Sequence, residues 1–287
     1  MTQVKISSVM GNSQKLDGGA MFGSVPQALW SRWITPDERN RIPLNCRAML
    51  VEIDDRKILC EAGIGCFFDP KLKDRFGVQE DNHVLLESLE KLGITPDQIT
   101  DVILSHLHFD HAGGLLSAYG DGEPRLVFPK AKFFVGKVAW DRALNPHYRD
   151  QASFVPVLNQ LLKECGRLVV VDGETCGELP KEFSFVYTDG HTPGQMHTVV
   201  QCETKKIFFA GDLIPGTAWL HLPVTMGYDR YPEKLIDEKQ KLLTEWEKQG
   251  NLIFYTHDSS YAASSVCANK GKFQFLNPIK ELKHQIF

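Results

Sequence analysis

Between positions 106 and 111 the chain reads HLHFDH, three histidines and one aspartate in six residues. Imidazoles and carboxylates are the ligands of divalent cations, and they also move protons near neutral pH. His106 and His108 stand at i and i+2, so extended backbone projects both rings to the same side. Asp110 and His111 follow where a strand must end, because Ala112, Gly113 and Gly114 allow a sharp turn. Two imidazoles on one side, then a carboxylate and a third imidazole, can feed two neighbouring cations. A lone histidine such as His83, His147 or His284 carries no such implication.

Such a site needs ligands from elsewhere, and the same local context recurs along the chain. VILS runs into His106, FSFVYTDG into His191, KIFFAG into Asp212 and LIFYT into His257. Four apolar strands each deliver a ligand type at the C-terminal end. If those ends meet at one edge of the sheets, His106, His108, Asp110, His111, His191, Asp212 and His257 form one pocket. Five imidazoles and two carboxylates without a thiolate suit two divalent metal ions, zinc by preference, with Fe, Mn or Co compatible. Two such ions about 3.5–4 Å apart lower the pKa of a bound water from about 15.7 to roughly 7. The expected nucleophile is therefore a metal-bound hydroxide. Asp110 is placed to hold it and to pass a proton to the leaving oxygen. A GxSxG elbow, a P-loop and a GxGxxG fingerprint are all missing from the sequence, so metal-assisted hydrolysis is the chemistry expected.

Those strand ends need a scaffold. Apolar runs predict strands at 49–53, 57–61, 101–105, 132–135, 168–171, 183–188, 198–202, 206–210 and 251–256, with 48–53 and 56–61 paired as a hairpin through Asp54 and Asp55. Helical stripes appear at 83–92 (Leu85, Leu89, Leu92), at 155–165 (Val155, Leu158, Leu161, Leu162) and at 233–249 (Leu235, Leu242, Leu243, Trp246). Thr95 and Pro96 suit the start of one helical turn before the 101–105 strand. Several strands are apolar throughout, which predicts cover on both faces. The expected class is α/β, with sheets packed together and helices outside. No Pro/Gly-rich boundary divides the 287 residues, so residues 1–287 are expected to form a single domain.

The net charge of −4 lacks the basic excess of a nucleic-acid binder, and no nucleic-acid partner is expected. The opening MTQVKISSVM has no signal-like pattern, and no apolar run approaches the roughly 18 residues of a membrane span. Seven cysteines without a CxxC pair suggest free thiols in a reducing compartment. A cytoplasmic location and no membrane partner follow as expectations.

The ordered set His106-x-His108-x-Asp110-His111, His191 in DGHTPG, Asp212 in FAGD and His257 in YTHD resembles the metallo-β-lactamase superfamily of hydrolases over nearly the whole chain. The resemblance implies an αββα sandwich of two mixed β-sheets flanked by helices, with a binuclear site at one edge. By the family pattern His106, His108 and His191 hold one metal, Asp110, His111 and His257 the other, and Asp212 bridges. Within the superfamily, DGGAMFG at 17–23, PDERNRIPL at 36–44 and HFDHAGG resemble the N-acyl-homoserine lactonases that degrade quorum-sensing signals. Met21 and Phe22 would then approach the mouth of the site, where Met and aromatic side chains suit an acyl chain.

One position departs from that branch. Several lactonases carry a Tyr three residues after the bridging Asp, and here Pro215 stands there. Tyr228, His221 or the metal itself are the candidates for its task. The resemblance thus implies a lactonase opening N-acyl-homoserine lactone rings, often a homodimer among relatives. Other ester-type substrates on the same site are the alternative: a phosphotriester, an aryl ester, or a thioester as in glyoxalase II. A non-catalytic relative would have lost ligands, and all seven are present.

Overall fold

Strands that are apolar on both faces persist only where layers cover them from both sides. The computed structural model, which describes residues 3–247 and 250–287, supplies those layers. One sheet of seven strands runs Gln285–Ile286, Val4–Met10, Arg47–Ile53, Arg56–Cys60, Asp101–Leu104, Lys132–Gly136, Leu168–Val171. Pairing is antiparallel up to Arg56–Cys60 and parallel beyond it. The second sheet has six strands in the order Lys272–Ile279, Ala263–Asn269, Leu252–Phe254, Lys206–Phe209, Gln195–Gln201, Phe183–Thr188. Its one parallel pair joins Lys206–Phe209 to Leu252–Phe254. Both sheets are therefore mixed, as expected.

The two-residue period of a strand sorts the side chains into layers. Ile6, Met49, Val51, Ile103 and Phe134 of the first sheet share an apolar core with Phe185, Met196, Phe209 and Phe254 of the second. Leu50, Leu59, Val102 and Phe133 pack instead with Leu85 and Leu89 of the helix Val84–Lys91 and with Leu158 and Leu162 of the helix Pro156–Glu164. On the far side Val199, Phe208 and Ile253 meet Leu235, Leu242, Leu243 and Trp246 of the helix Pro232–Trp246. The order is helix, sheet, sheet, helix. Each large apolar side chain buried in these layers contributes about 1.5–3 kcal/mol of transfer free energy.

The three expected helices are present, and the last two residues of 233–249 lie outside the described residues. The 48–53/56–61 hairpin is antiparallel, with Asp54 in its turn at φ 52°. Pro96–Gln98 forms a single 3₁₀ turn, and the Thr95 N–H donates to Gln98 Oε1 at 2.9 Å. Val4–Met10 and Ala263–Asn269 are strands that no apolar run announced, because serines interrupt them. Two of those serines, Ser7 and Ser264, are fully buried and bonded: Ser7 Oγ accepts from His284 N at 2.8 Å, and Ser264 Oγ lies 2.7 Å from the Tyr255 hydroxyl. Among the described residues no helix is long and apolar enough to cross a membrane.

One buried charge ties the long helix to the loop beside the site. Lys239, 0 % exposed, donates from Nζ to the carbonyls of Trp219 (3.0 Å), His221 (3.1 Å) and Val224 (2.7 Å). Burial lowers its pKa to about 7, against the attraction of Asp229. Between pH 7 and its ordinary value of 10.5 the unfolded chain then binds more protons at this residue than the folded one. The cost of burying the ammonium is felt in full below pH 7 and is lifted as pH rises through that window. Lys239→Met is expected to lose stability by about 3 kcal/mol, because three carbonyls lose their donor. The stability difference between wild type and variant should grow from pH 7 to pH 9 in denaturant titrations, and a flat difference would contradict the shift.

Candidate active site

The ends of strands from both sheets converge at one edge. Asp101–Leu104 runs directly into Ser105 and His106, and the helical turn Phe109–Ala112 carries Asp110 and His111. Arg56–Cys60 ends on Glu61. From the second sheet, Phe183–Thr188 leads to His191, Lys206–Phe209 to Asp212 and Leu252–Phe254 to His257. The need for glycine at 113 and 114 is close approach rather than a special turn. A Cβ at Gly114 would lie 2.0 Å from the Ala62 carbonyl oxygen, and one at Gly113 would lie 2.4 Å from that of Ile64. This contact holds the HLHFDH segment against the residues that follow Glu61.

All seven predicted ligands come together, in two groups. His106, His108, His191 and Asp212 each offer one atom, all within 4.8 Å of one another, and Asp110, His111 and His257 do the same. Asp212 lies between the groups. Its Oδ2 is 3.1 Å from His191 Nε2 and 3.3 Å from His111 Nε2, and its Oδ1 is 3.2 Å from His257 Nε2. Buried polar atoms ordinarily have hydrogen-bond partners, yet His106 Nε2 has none in the protein. Such an orphaned nitrogen in a buried set of imidazoles and carboxylates fits a divalent cation. The His/Asp cluster is a metal-binding one.

The outer nitrogens of the rings are held in turn. His106 Nδ1 lies 2.8 Å from Ser105 Oγ, and Ser105 donates to Glu61 Oε1. His111 Nδ1 lies 2.8 Å from Glu61 Oε2, His191 Nδ1 2.9 Å from Asp229 Oδ1, and His257 Nδ1 2.6 Å from the Asn45 carbonyl. An acceptor on Nδ1 fixes the proton there and turns the Nε2 lone pair toward the cluster. His108 is reversed, with Nδ1 3.2 Å from His191 Nε2. Asp110 is held by Gln14, whose Nε2 donates to Oδ2 at 3.0 Å.

Electrostatics divides the rings. Burial, reinforced by neighbouring imidazoles, holds His106 and His108 well below their ordinary value. Burial also opposes charge on His111, His191 and His257, but carboxylates outweigh it. Glu61, Asp212 and Asp110 hold His111 well above its ordinary value, and Asp212 does the same for His257. Asp212 and Asp229 raise His191 more modestly. Asp212 itself sits well below the usual carboxylate range despite its burial, because His111, His191 and His257 surround it. The carboxylates make this a place where positive charge is stabilised.

A cavity of about 350 Å³ opens over the cluster. His108, Asp110, His191, Asp212 and His257 lie at its base, with Leu16, Met21, Phe76, Phe109 and Met226 as apolar wall. Of the four candidates for contact with substrate, Met21 and Tyr228 line it. Phe22 does not: its ring stacks between Trp30 (5.4 Å) and Trp219 (4.7 Å) in the adjoining core. His221 lines a different cavity of about 750 Å³, stacked on Trp33 at 4.9 Å. Pro215, where a Tyr was expected by resemblance, accepts the His257 N–H at 2.9 Å through its carbonyl. It serves the backbone, and the phenol at this cavity is that of Tyr228.

Glu61, Ser105, Asp229 and Gln14 went unread in the sequence. Glu61 alone had a signal, an apolar strand ending on a carboxylate as at Asp212. It adopts φ 64°, uncommon for a residue other than glycine or asparagine, and such outliers gather at functional sites.

Comparison with known proteins agrees with this architecture. Residues 41–257 match the family model of the metallo-β-lactamase superfamily. An N-acyl homoserine lactonase, AiiA of Bacillus thuringiensis subsp. kurstaki, is 25% identical over 250 residues, covering 78% of this chain and 85% of that protein. The structure of a probable metal-dependent hydrolase from Staphylococcus aureus superposes with a TM-score of 0.88 at 26% identity, covering 99% of both chains. AidC, a dizinc quorum-quenching lactonase solved with a product, gives a TM-score of 0.77 at 22% identity over 95% of this chain and 94% of its own, a likeness of fold. With the family model spanning most of the chain and the His/Asp cluster intact at its expected place, the protein belongs to the metallo-β-lactamase superfamily and is a hydrolase of that group.

Proposed function

We propose that the protein is a dinuclear lactonase that opens N-acyl-homoserine lactone rings, with zinc as the native metal. The observation that carries the reading is the position of Asp212 between two ligand groups at the base of a small, largely apolar cavity. The AiiA relative's activity supports the substrate class. His106, His108 and His191 would hold one cation and Asp110, His111 and His257 the other, with Asp212 shared. Bound there, two divalent cations would supply a Lewis acid for the carbonyl and a water acidified to roughly pKa 7.

The chain's own groups do the rest. Asp110 is oriented by Gln14 at Oδ2, and its carboxylate would take the proton of the attacking water and return it to the ring oxygen as that bond breaks. The Tyr228 phenol lines the cavity, and partial burial near the Asp110 and Asp17 carboxylates pushes its pKa up to about 12. It stays a hydrogen-bond donor at every working pH and takes the task of polarising the lactone carbonyl. Met21 and Met226 offer the acyl chain a deformable apolar wall.

The test is a panel of kcat/KM values on zinc-loaded protein, with acyl-homoserine lactones, aryl esters, a phosphotriester and a thioester. Lactones should lead each of the others by at least about tenfold, a difference of about 1.4 kcal/mol in transition-state binding. A lead by the phosphotriester or the thioester would overturn the assignment.

A further inference from the structure

We infer that Arg149 determines how long a substrate chain the cavity accepts, by bridging its mouth. This deepens the lactonase reading, since it concerns the acyl part of the same substrate. Of the residues lining the cavity over the cluster, Arg149, Ala152, Gly227 and Tyr228 are exposed and form its rim. The remaining lining residues are half-buried or buried and form its walls and base. Arg149 and Gly227 lie on separate segments, yet Arg149 Nη2 donates to the Gly227 carbonyl at 2.7 Å. One side chain thus joins the two sides of the opening.

Both ends of this bridge are fixed. Next to Arg149, Asp150 is buried and receives Arg142 through Nε (2.9 Å) and Nη2 (2.7 Å) on Oδ2. The Arg149 N–H itself is capped by His147 Nδ1 at 3.1 Å. Across the rim, the Gly227 N–H donates to the Ala20 carbonyl at 2.8 Å, which ties it to the segment carrying Met21. The backbone posts are therefore anchored, and the Arg149 side chain is the part that can swing. It is long and exposed, so its rotamers exchange on a fast timescale and the bridge can open without moving the fold.

The consequence for specificity is physical. The enclosed volume, about 350 Å³, is near the small end of the 300–1,000 Å³ usual for sites that bury a small molecule. A reacting ester head on the cluster and a short acyl chain against Met21, Phe109 and Met226 stay inside it. A longer chain must leave through the rim, where it displaces the guanidinium from its carbonyl and offers no hydrogen bond in return. The guanidinium returns to water, but the alkyl chain covers the Gly227 carbonyl without replacing its hydrogen bond, which disfavours long chains selectively. Arg149 is in this sense a specificity-determining residue and takes no part in bond breaking.

The test compares the full-length, zinc-loaded protein with Arg149→Ala and Arg149→Lys. Two substrate series run in parallel, butanoyl and decanoyl homoserine lactones and the p-nitrophenyl esters of the same acids. The ratio of kcat/KM for the decanoyl over the butanoyl substrate should rise about tenfold in R149A, and R149K should lie between R149A and wild type. Calorimetric binding of decanoate relative to butanoate should shift in the same direction, a readout that needs no turnover. A shift in the ester and decanoate measurements by a protein that leaves lactones untouched supports the bridge and sinks the lactonase reading alone. A ratio in R149A equal to wild type in both series overturns the bridge, as does R149K matching R149A.

Discussion

Asp212→Ala is expected to reduce bound metal from about two equivalents to one or fewer, and to lower kcat/KM by about a thousandfold or more. Among the described residues Asp212 alone lies within 3.3 Å of ring nitrogens from both groups, His191 and His111 on Oδ2 and His257 on Oδ1. Its loss removes the one carboxylate common to them and leaves three inward-facing imidazoles without the charge that offsets them. A pair of cations supplies several kcal/mol of stabilisation to the developing oxyanion, and about 4 kcal/mol corresponds to about a thousandfold in rate. Asp212→Asn keeps the shape but not the charge and should fail in the same way, which separates charge from packing. Elemental analysis beside kinetics decides the matter. A variant that retains two metals and its activity would contradict the shared role.

Glu61→Gln is expected to weaken metal affinity by about 10–100-fold without abolishing turnover at saturating metal. The buried Glu61 carboxylate meets His111 Nδ1 directly and His106 through Ser105, so one side chain orients a ring in each ligand group. An amide has one acceptor oxygen and one NH₂, so either His111 or Ser105 would face a donor with its own donor. Rings then lose their alignment while the ligand atoms themselves remain. Chelator competition measures the affinity, and restored activity at high zinc distinguishes this change from that of Asp212. Unchanged affinity would remove Glu61 from the positioning role.

These two expectations differ in how visible they were before the fold was known. Asp212 announced itself, because an apolar run followed by Ala210, Gly211 and an acid repeats the pattern at His191 and His257. Glu61 has the same local signature, yet nothing in the chain ties it to His106 and His111. That link exists only because Arg56–Cys60 and Asp101–Leu104 pair in parallel register, which sets Glu61 beside Ser105. Asp229 is subtler still: it sits in a loop with no strand before it, and only the return of that loop brings it to His191.

The substrate-facing residues show the same division. Met21 and Phe22 were equal candidates in the sequence for the acyl chain, as were His221 and Tyr228 for the task of the missing Tyr, and the structure separates each pair. Met21 and Tyr228 line the cavity, whereas Phe22 is taken up in the Trp30–Trp219 stack and His221 is drawn to Trp33. Aromatic side chains have no preference for a site over a neighbouring ring until packing decides between them.

By itself, the sequence determined the chemistry of the protein. Ligand types at fixed spacing, each after an apolar strand, specify which atoms can reach a cation and that the strands must be covered on both faces. Such information is local, carried by backbone period and side-chain type. Tertiary structure alone decided which carboxylates hold the outer nitrogens of those rings, which side chains wall the cavity, and that Arg149 reaches Gly227 across its mouth. Those contacts join residues distant in the chain, and their energies depend on burial and orientation, which no single stretch of sequence contains.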